Sequence, residues 1–307
     1  MMRLPGRQRG VAVITALLII ALATVLVAAA MSDFDLNLRR TEATLFTEQA
    51  QMYALGAESW ATRILSEDAE DNSVDHPGEV WATDLPPLPI EGGALDGSLI
   101  DLQGRFNINN LVDANGEIDP AALEQFRRLL ELLNLDTRQA GFAADWIDTN
   151  IDPAFPDGAE DSSYLGQIPA YRTPNMPVTS VSELMSLPEM NKETYDSLLP
   201  YVTALPRGTP INVNTASAPV LASLSADLSI SDATRVIEDR PEDGYEDLTE
   251  LEEIIPAGLA LPIGVSSRFF RLTVRVNIGS TELTMYSLLE RQGAGSIRSL
   301  LRSYGTY

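Results

Sequence analysis

The chain has 307 residues, with 44 Asp and Glu against 21 Lys and Arg, a formal net charge of −23 and no cysteine. Such an excess of negative charge argues against nucleic acid or anionic lipid headgroups as partners of the exposed part, and favours cations and basic surfaces. The absence of thiols excludes disulfides, thiolate metal sites and a cysteine nucleophile. The single histidine, His76, leaves too few nitrogen ligands for a zinc site and reads as a solvated histidine in an acidic, Pro-flanked loop.

At the N-terminus, Arg3, Arg7 and Arg9 precede an apolar run over residues 11–31, interrupted only by Thr15 and Thr24. About 20 such residues, rising 1.5 Å each, cross a ~30 Å hydrocarbon core. The arginines stay cytoplasmic, which places the bulk of the chain outside. The expectation is a single-pass inner-membrane protein with a periplasmic domain. Three readings of this segment compete. A cleaved secretory signal would use Ala28 and Ala30 as its small-x-small site, but its apolar region is normally shorter. An uncleaved anchor would leave the chain intact. The third reading takes Gly10 as the end of a short, basic, polar leader. Behind the span, Leu36, Leu38, Ala43, Leu45, Phe46, Ala50, Met52, Ala54 and Leu55 recur at roughly helical spacing, so residues 32–66 continue the helix in amphipathic form. This combination resembles the class III leader of type IV pilins and type II secretion pseudopilins. The resemblance implies cleavage between Gly10 and Val11 by a prepilin peptidase, with methylation of the new amine. It departs from most pilins at the fifth mature position, where Thr15 stands in place of a glutamate. In those families the carboxylate neutralises a neighbour's amine in the apolar bundle, where an unpaired charge is costly. A subunit without it suits a filament end.

Residues 67–111 read as an Asp-, Pro- and Gly-rich loop, running to about Gly97, followed by a strand over 98–102 and the run Gly104-Arg105-Phe106-Asn107-Ile108-Asn109-Asn110-Leu111. From Pro120 the pattern turns helical. Ala121, Leu123, Phe126, Leu129, Leu130 and Leu133 form one stripe, and 138–147 a second short helix. Short helices follow at 182–186, 192–201, 216–224, 231–240 and 248–254, with Asn214 and Ser231 as N-caps. The pattern then reverts to alternation over 269–276 and 282–289, a hairpin. Strand, helical block and strands together predict an α+β fold: a sheet domain (67–111 and 263–292) interrupted by an α-helical domain (112–262). Residues 293–307 read as a flexible tail.

Within the helical block, Asp145, Asp148, Asp152, Asp157, Glu160 and Asp161 crowd a Gly- and Pro-broken segment, near Tyr164 and Asn175. Calcium takes six to eight oxygen ligands in flexible geometry, which such a loop supplies. The spacing is not an EF-hand. A solvated acidic loop fits the composition as well. A catalytic carboxylate pair does not, because little apolar material is present to raise one pKa.

The run Ile211-Asn212-Val213-Asn214-Thr215-Ala216 and the helices after it resemble the helix-hairpin-helix (SAM-like) module of competence-type DNA receptors, with 182–201 as a partial second copy. The connection Ser225-Ala226-Asp227-Leu228-Ser229-Ile230 lacks the glycine hairpin that brings N–H groups to phosphate. Asp239, Glu242, Asp243, Glu246 and Asp247 follow it and oppose phosphate. The module reads as a packing fold with no nucleic-acid partner.

Taken together, Gly104–Leu111, Asp145–Tyr171, Ser182–Leu187 and Ile211–Leu221 make nearly the whole chain similar to the K-type minor pseudopilins of type II secretion systems. The resemblance implies a pilin-like N-terminal helix on a small antiparallel sheet, with a large helical insertion. It implies a structural, non-enzymatic role at the pseudopilus tip, where the protein helps to start assembly and export across the outer membrane. I- and J-type minor pseudopilins would be its partners, with the prepilin peptidase, the secretin or cargo as further contacts. It also implies bound calcium in the insertion, with Asp157, Glu160 and Asp161 as first-choice ligands and Asp148, Asp152 and Asn175 behind them. The rival functions are a DNA-binding or adhesive minor pilin of a type IV pilus or competence system, a membrane-anchored hydrolase, and a calcium-binding adhesion domain on an anchor that leaves Gly10–Val11 intact. The first would need a basic groove and the second a nucleophile–base set, and neither is visible in the sequence.

Overall fold

The computed structural model describes residues 9–83, 86–251, 253–255, 259 and 261–305. Most of the expected leader, residues 1–8, lies outside them. Helix α1 (Arg9–Asp71) carries no proline and runs 63 residues without a break. Residues 11–45 are exposed along their whole length, and the segment is long and apolar enough to cross a membrane. Beyond that point, Ala50, Ala54, Ala61 and Leu65 turn one face inward and become buried. Their spacing of four and seven residues keeps them on one side of the helix. Three of the four are alanines, so the helix can lie close on a sheet.

That sheet is antiparallel. It is built from β1 (Leu88–Ile90), β2 (Gly93–Asp101), β7 (Phe269–Ile278), β8 (Thr281–Arg291) and β9 (Ile297–Tyr304), in the spatial order β1-β2-β7-β8-β9. Alternate residues of β7 face α1: Phe270, Leu272, Val274, Val276 and Ile278 are buried with Leu95, Met285 and Leu289. The period of two in this stretch produces a one-sided core. Between β2 and β7 lie β3 (Phe106–Asn107), α2 (Pro120–Leu132), α3 (Arg138–Ile147), α4 (Asp161–Tyr164), α5 (Lys192–Leu198), β4 (Val202–Thr203), β5 (Ile211–Asn212), α6 (Ala218–Ser223), α7 (Ile230–Glu238) and β6 (Ile263–Gly264). These elements share a second core that includes Phe106, Phe126, Leu129, Leu130, Ile147, Tyr164 and Val220. The molecule is therefore an α+β protein with a helical insertion between two paired strands.

The buried asparagines explain how so many short elements hold together. Asn109 donates to the carbonyls of Val178 and Leu205 and accepts from the Val178 N–H at 2.9 Å. Asn107 accepts from the amides of Asn109 and Leu205. Asn214 accepts from the Tyr245 N–H and donates to its carbonyl. Loop backbone that would otherwise be buried without partners is satisfied by side chains in this way.

Several local expectations change. The supposed loop before residue 98 contains β1 and half of β2. Gly93 stands where a Cβ would lie 1.7 Å from the Asn277 carbonyl, so close strand approach demands glycine there. Glycine at 92, 93 and 97 obscured the alternation. Asn214 is not a helix cap, because its side chain is spent on Tyr245, and Ser217 is the residue at the N-cap of α6. Ser229, not Ser231, caps α7, in a reciprocal box with Asp232. The tail at 293–307 contains β9, which pairs antiparallel with β8 and whose Arg302 also reaches back to α1 and bonds Glu58 at 2.7 and 2.8 Å.

Candidate functional site

Two carboxylate clusters stand out. The first lies in the insertion, where α3 ends and a Pro-rich segment begins. Asp145 sits in the last turns of α3 and is fully buried, as is Asp148 at its C-cap. Glu160, at the N-cap of α4, is buried beside them. Burial raises all three pKa values. Asp148 is pushed up to about 7, by burial first and then by the charges of Asp145 and Glu160. A buried carboxylate held against like charges is an unfavourable arrangement.

Backbone geometry fixes the site. Asp145 accepts the Ala154 N–H with both oxygens, at 3.0 and 3.1 Å. Gly158 packs so tightly there that a Cβ would come within 2.4 Å of Asp145 Oδ2. Asn175 donates to the Asn150 carbonyl at 2.7 Å, closing the base of the loop. Four buried oxygens in this neighbourhood have no hydrogen-bond partner: Asp148 Oδ1, Glu160 Oε1, Asn175 Oδ1 and the Tyr164 hydroxyl. Orphaned acceptors of this kind normally cost stability, and a hard cation is the partner that would satisfy the carboxylate and amide oxygens together.

The structure thus brings Asp148, Glu160 and Asn175 into one region and adds Asp145, which the sequence singled out only as a member of the acidic run. Asp161 has committed its oxygens to Arg172 at 2.9 Å and to Thr173. Asp157 is half-buried, and Asp152 is exposed. The signal that could have picked out Asp145 is its place four residues after Gly141, on a helix face that is buried throughout.

The second cluster lies where the insertion meets the sheet. Ligand oxygens of Asp68, Asp75 and Glu79 all lie within 4.8 Å of one another. Arg291 already bridges Asp68 and Asp75, at 2.6 and 2.8 Å. Glu79 accepts from Trp81 Nε1 at 2.6 Å and from the His76 amide. His76 is therefore not the solvated loop residue expected: it is buried, and its Nδ1 accepts the Gly78 N–H. Next to this cluster the buried carboxylate of Asp101 accepts from Ser267, Thr215 and Asn212. These contacts make a seam between the two cores rather than a ligand site.

In the helix-hairpin-helix region, Asp227, Asp239, Glu242, Asp243, Glu246 and Asp247 are all exposed, which leaves an acidic surface where phosphate would have to bind.

At the N-terminus, Gly10 and Val11 lie in the first turn of α1. The Thr15 hydroxyl donates to its own helix, at the Val11 and Ala12 carbonyls, 3.0 Å each.

Comparison with known proteins gives one consistent result. The family model described as type II secretion system (T2SS), protein K matches residues 104–207, and a second model of the same description matches 211–262. Type II secretion system protein K of Pseudomonas aeruginosa is 35% identical over 97% of this chain and 93% of its own length. The protein of that name from Klebsiella pneumoniae is 34% identical, over 98% of both chains. A chain in the crystal structure of the GspK–GspI–GspJ complex from enterotoxigenic Escherichia coli superimposes with a TM-score of 0.77 at 27% identity, covering 87% of this chain and all of the other.

Proposed function

The chain belongs to the type II secretion system protein K family, and from that premise we propose that it is a structural minor pseudopilin working at the tip of a periplasmic pseudopilus. The observation that carries this reading is the near full-length similarity to protein K relatives together with the match to a chain solved in complex with GspI and GspJ. In this reading, residues 11–31 anchor the protein in the inner membrane, and the exposed face of α1 packs against the helices of I- and J-type subunits. The head (sheet and insertion) caps the assembly, so that the protein starts the pseudopilus and supports export without catalysing a reaction. Thr15 supports the terminal position. Its hydroxyl is turned onto its own helix and carries no charge for a neighbour's amine.

Processing between Gly10 and Val11 is part of the same proposal. The test is the N-terminal residue and mass of the protein taken from native membranes. A chain starting at Val11, methylated or not, supports it. A chain starting at Met1 or near Met31 would sink both the processing step and the pseudopilin role.

Calcium in the insertion is the second part. Asp145, Asp148, Glu160 and Asn175 would hold the ion, with Asp157 and Asp152 close in sequence and Asp161 already paired. The ion would neutralise the crowded carboxylates and satisfy orphaned oxygens, making it a structural brace. Adding calcium to the thoroughly chelated protein should raise the melting temperature. An unchanged melting temperature would remove calcium from the proposal.

A further inference from the structure

The segment over the acidic loop exposes its apolar side chains to an unusual degree. Phe155 is 93% exposed, Ile168 99% and Ile151 74%, and Met176 and Leu165 are more than half or half exposed in the same stretch. Scattered exposed apolar residues are ordinary, but a concentration of large ones in one segment marks an interaction site. These side chains do not sit on slack chain. The backbone around Ile151, Phe155 and Met176 is pinned by the Ala154 N–H on Asp145, by Gly158 packed against that carboxylate and by the Asn175–Asn150 bond, and ahead of Ile168 the Gln167 N–H bonds the Tyr164 carbonyl at 3.1 Å. A held loop that presents an aromatic and several aliphatic side chains has the composition of a binding hot spot, with little ordering cost left for the moment of contact.

We propose that residues 151–176 form a docking loop whose apolar side chains, led by Phe155 and Ile168, enter an apolar groove rimmed by lysine and arginine on another protein. Charge selects this occupant. The loop carries Asp152, Asp157, Glu160 and Asp161 against a single Arg172, which Asp161 already pairs. The exposed Asp152 and half-buried Asp157, with Glu160 buried and Asp161 paired, leave a negative surface that repels anionic membranes. It equally repels a second copy of a chain with a net charge of −23. A basic rim on a protein groove complements it, and such rims steer encounter while the apolar centre supplies affinity. This surface is separate from the membrane helix, and it shares its loop with the proposed calcium ligands Glu160 and Asn175.

The test uses the full chain in membranes together with its secretion machinery. A photo-crosslinking amino acid is placed at position 155 or 168, with position 185 as control, since Met185 is a partly exposed apolar residue elsewhere in the insertion. The expected product is a cross-link from 155 and 168, several-fold above the control, to one protein. The attached peptide should be apolar and flanked by Lys or Arg, and high salt should reduce the yield. The paired substitution Phe155→Ser with Ile168→Ser should lower secretion several-fold while leaving the melting temperature and the amount of membrane-bound protein unchanged. Cross-links to lipid alone, to a second copy of the chain, or no stronger than the control would overturn the proposal, as would normal secretion by the double variant. The cross-link readout does not depend on the pseudopilin role, so failure of that role and failure of the docking loop are separable.

Discussion

The helix-on-sheet half and the insertion solve the same problem in different ways. In the first, one long helix lies on five strands, and the core is a layer of alternating β7 and β8 residues against alanines of α1. Apolar period does nearly all the work. Among the described residues of the insertion, no helix exceeds the 13 residues of α2, and the core is completed by asparagine side chains that serve as backbone partners for loops. Regular pairing lets a half be assembled from pattern. Irregular chain needs specific polar groups, and those same groups can be arranged to receive an ion.

The sharpest way to break this comparison is to remove a core ring from the insertion. Phe126 stacks on Phe106 with ring centroids 5.0 Å apart, and both are buried. Phe126→Ala should cost about 3–5 kcal/mol. Trp146, in the insertion core, should report the loss in near-UV dichroism before Trp81, which packs edge-on against Phe270 of the sheet. If both tryptophans melt together after the substitution, the two halves are a single cooperative unit.

The seam between the halves is the next target. Asn212 donates to Asp101, Ser267 and the Asp75 carbonyl. Asn212→Ala removes the donor to the buried Asp75 carbonyl and one of several donors to Asp101, at a cost of about 1–3 kcal/mol. Chemical denaturation should show a broader transition as the halves uncouple.

Acidity tests the same seam more gently. Asp68 is raised to about 7 and Asp75 to about 6, in each case first by burial; the charge of Glu79 adds to the effect at Asp68 while Arg291 opposes it at both. Both values lie above the unfolded ~4, so the folded chain holds protons that the unfolded chain releases. Stability therefore falls as pH rises from about 4 to 7, and lowering the pH from about 7.5 to 5.5 should add on the order of 1–2 kcal/mol. Thermal melts of the chelated protein across that window should show the rise; a fall would mean that another set of groups dominates.

The smallest effect belongs to local structure. Ser229 accepts the Asp232 N–H, and Asp232 returns a bond to the Ser229 amide. Ser229→Ala should cost about 1 kcal/mol. It should act on the insertion alone, leaving the sheet's response to denaturant in place.

How much of this was legible in the sequence follows from the same contrast. The long helix, the β7–β8 hairpin, α2 and α3 all announced themselves by period. β1 and the first half of β2 did not, because glycine at close cross-strand contacts breaks the alternation that marks a strand. β9 was missed because adjacent Leu300 and Leu301 break its alternation and it is an edge strand with much of its length exposed; its hold comes from pairing with β8 and from Arg302 on Glu58 of α1, which no local pattern encodes. In the acidic loop, composition located the region. Ranking of carboxylates needed burial: Asp145 and Asp148 are enclosed by the α3 core, whereas Asp152 faces solvent. Sequence alone also made His76 a surface residue, since nothing nearby revealed that Glu79 and Gly244 would close over it.

One feature of the connectivity reaches further. The chain leaves the sheet after Asp101 and re-enters beside it, with Asp101 opposite Phe270 and the Leu102 N–H bonded to the Phe269 carbonyl at 3.0 Å. Everything between those residues is plugged into a gap one strand spacing wide, about 5 Å. Beyond the meeting of its ends, the sheet takes from that segment the donors Asn212 and Thr215 for the buried Asp101 carboxylate. A short turn would close the same gap into a plain hairpin. The head is a socket: the inserted piece enters and leaves through one strand spacing of the sheet, and the shaft beneath it is continuous.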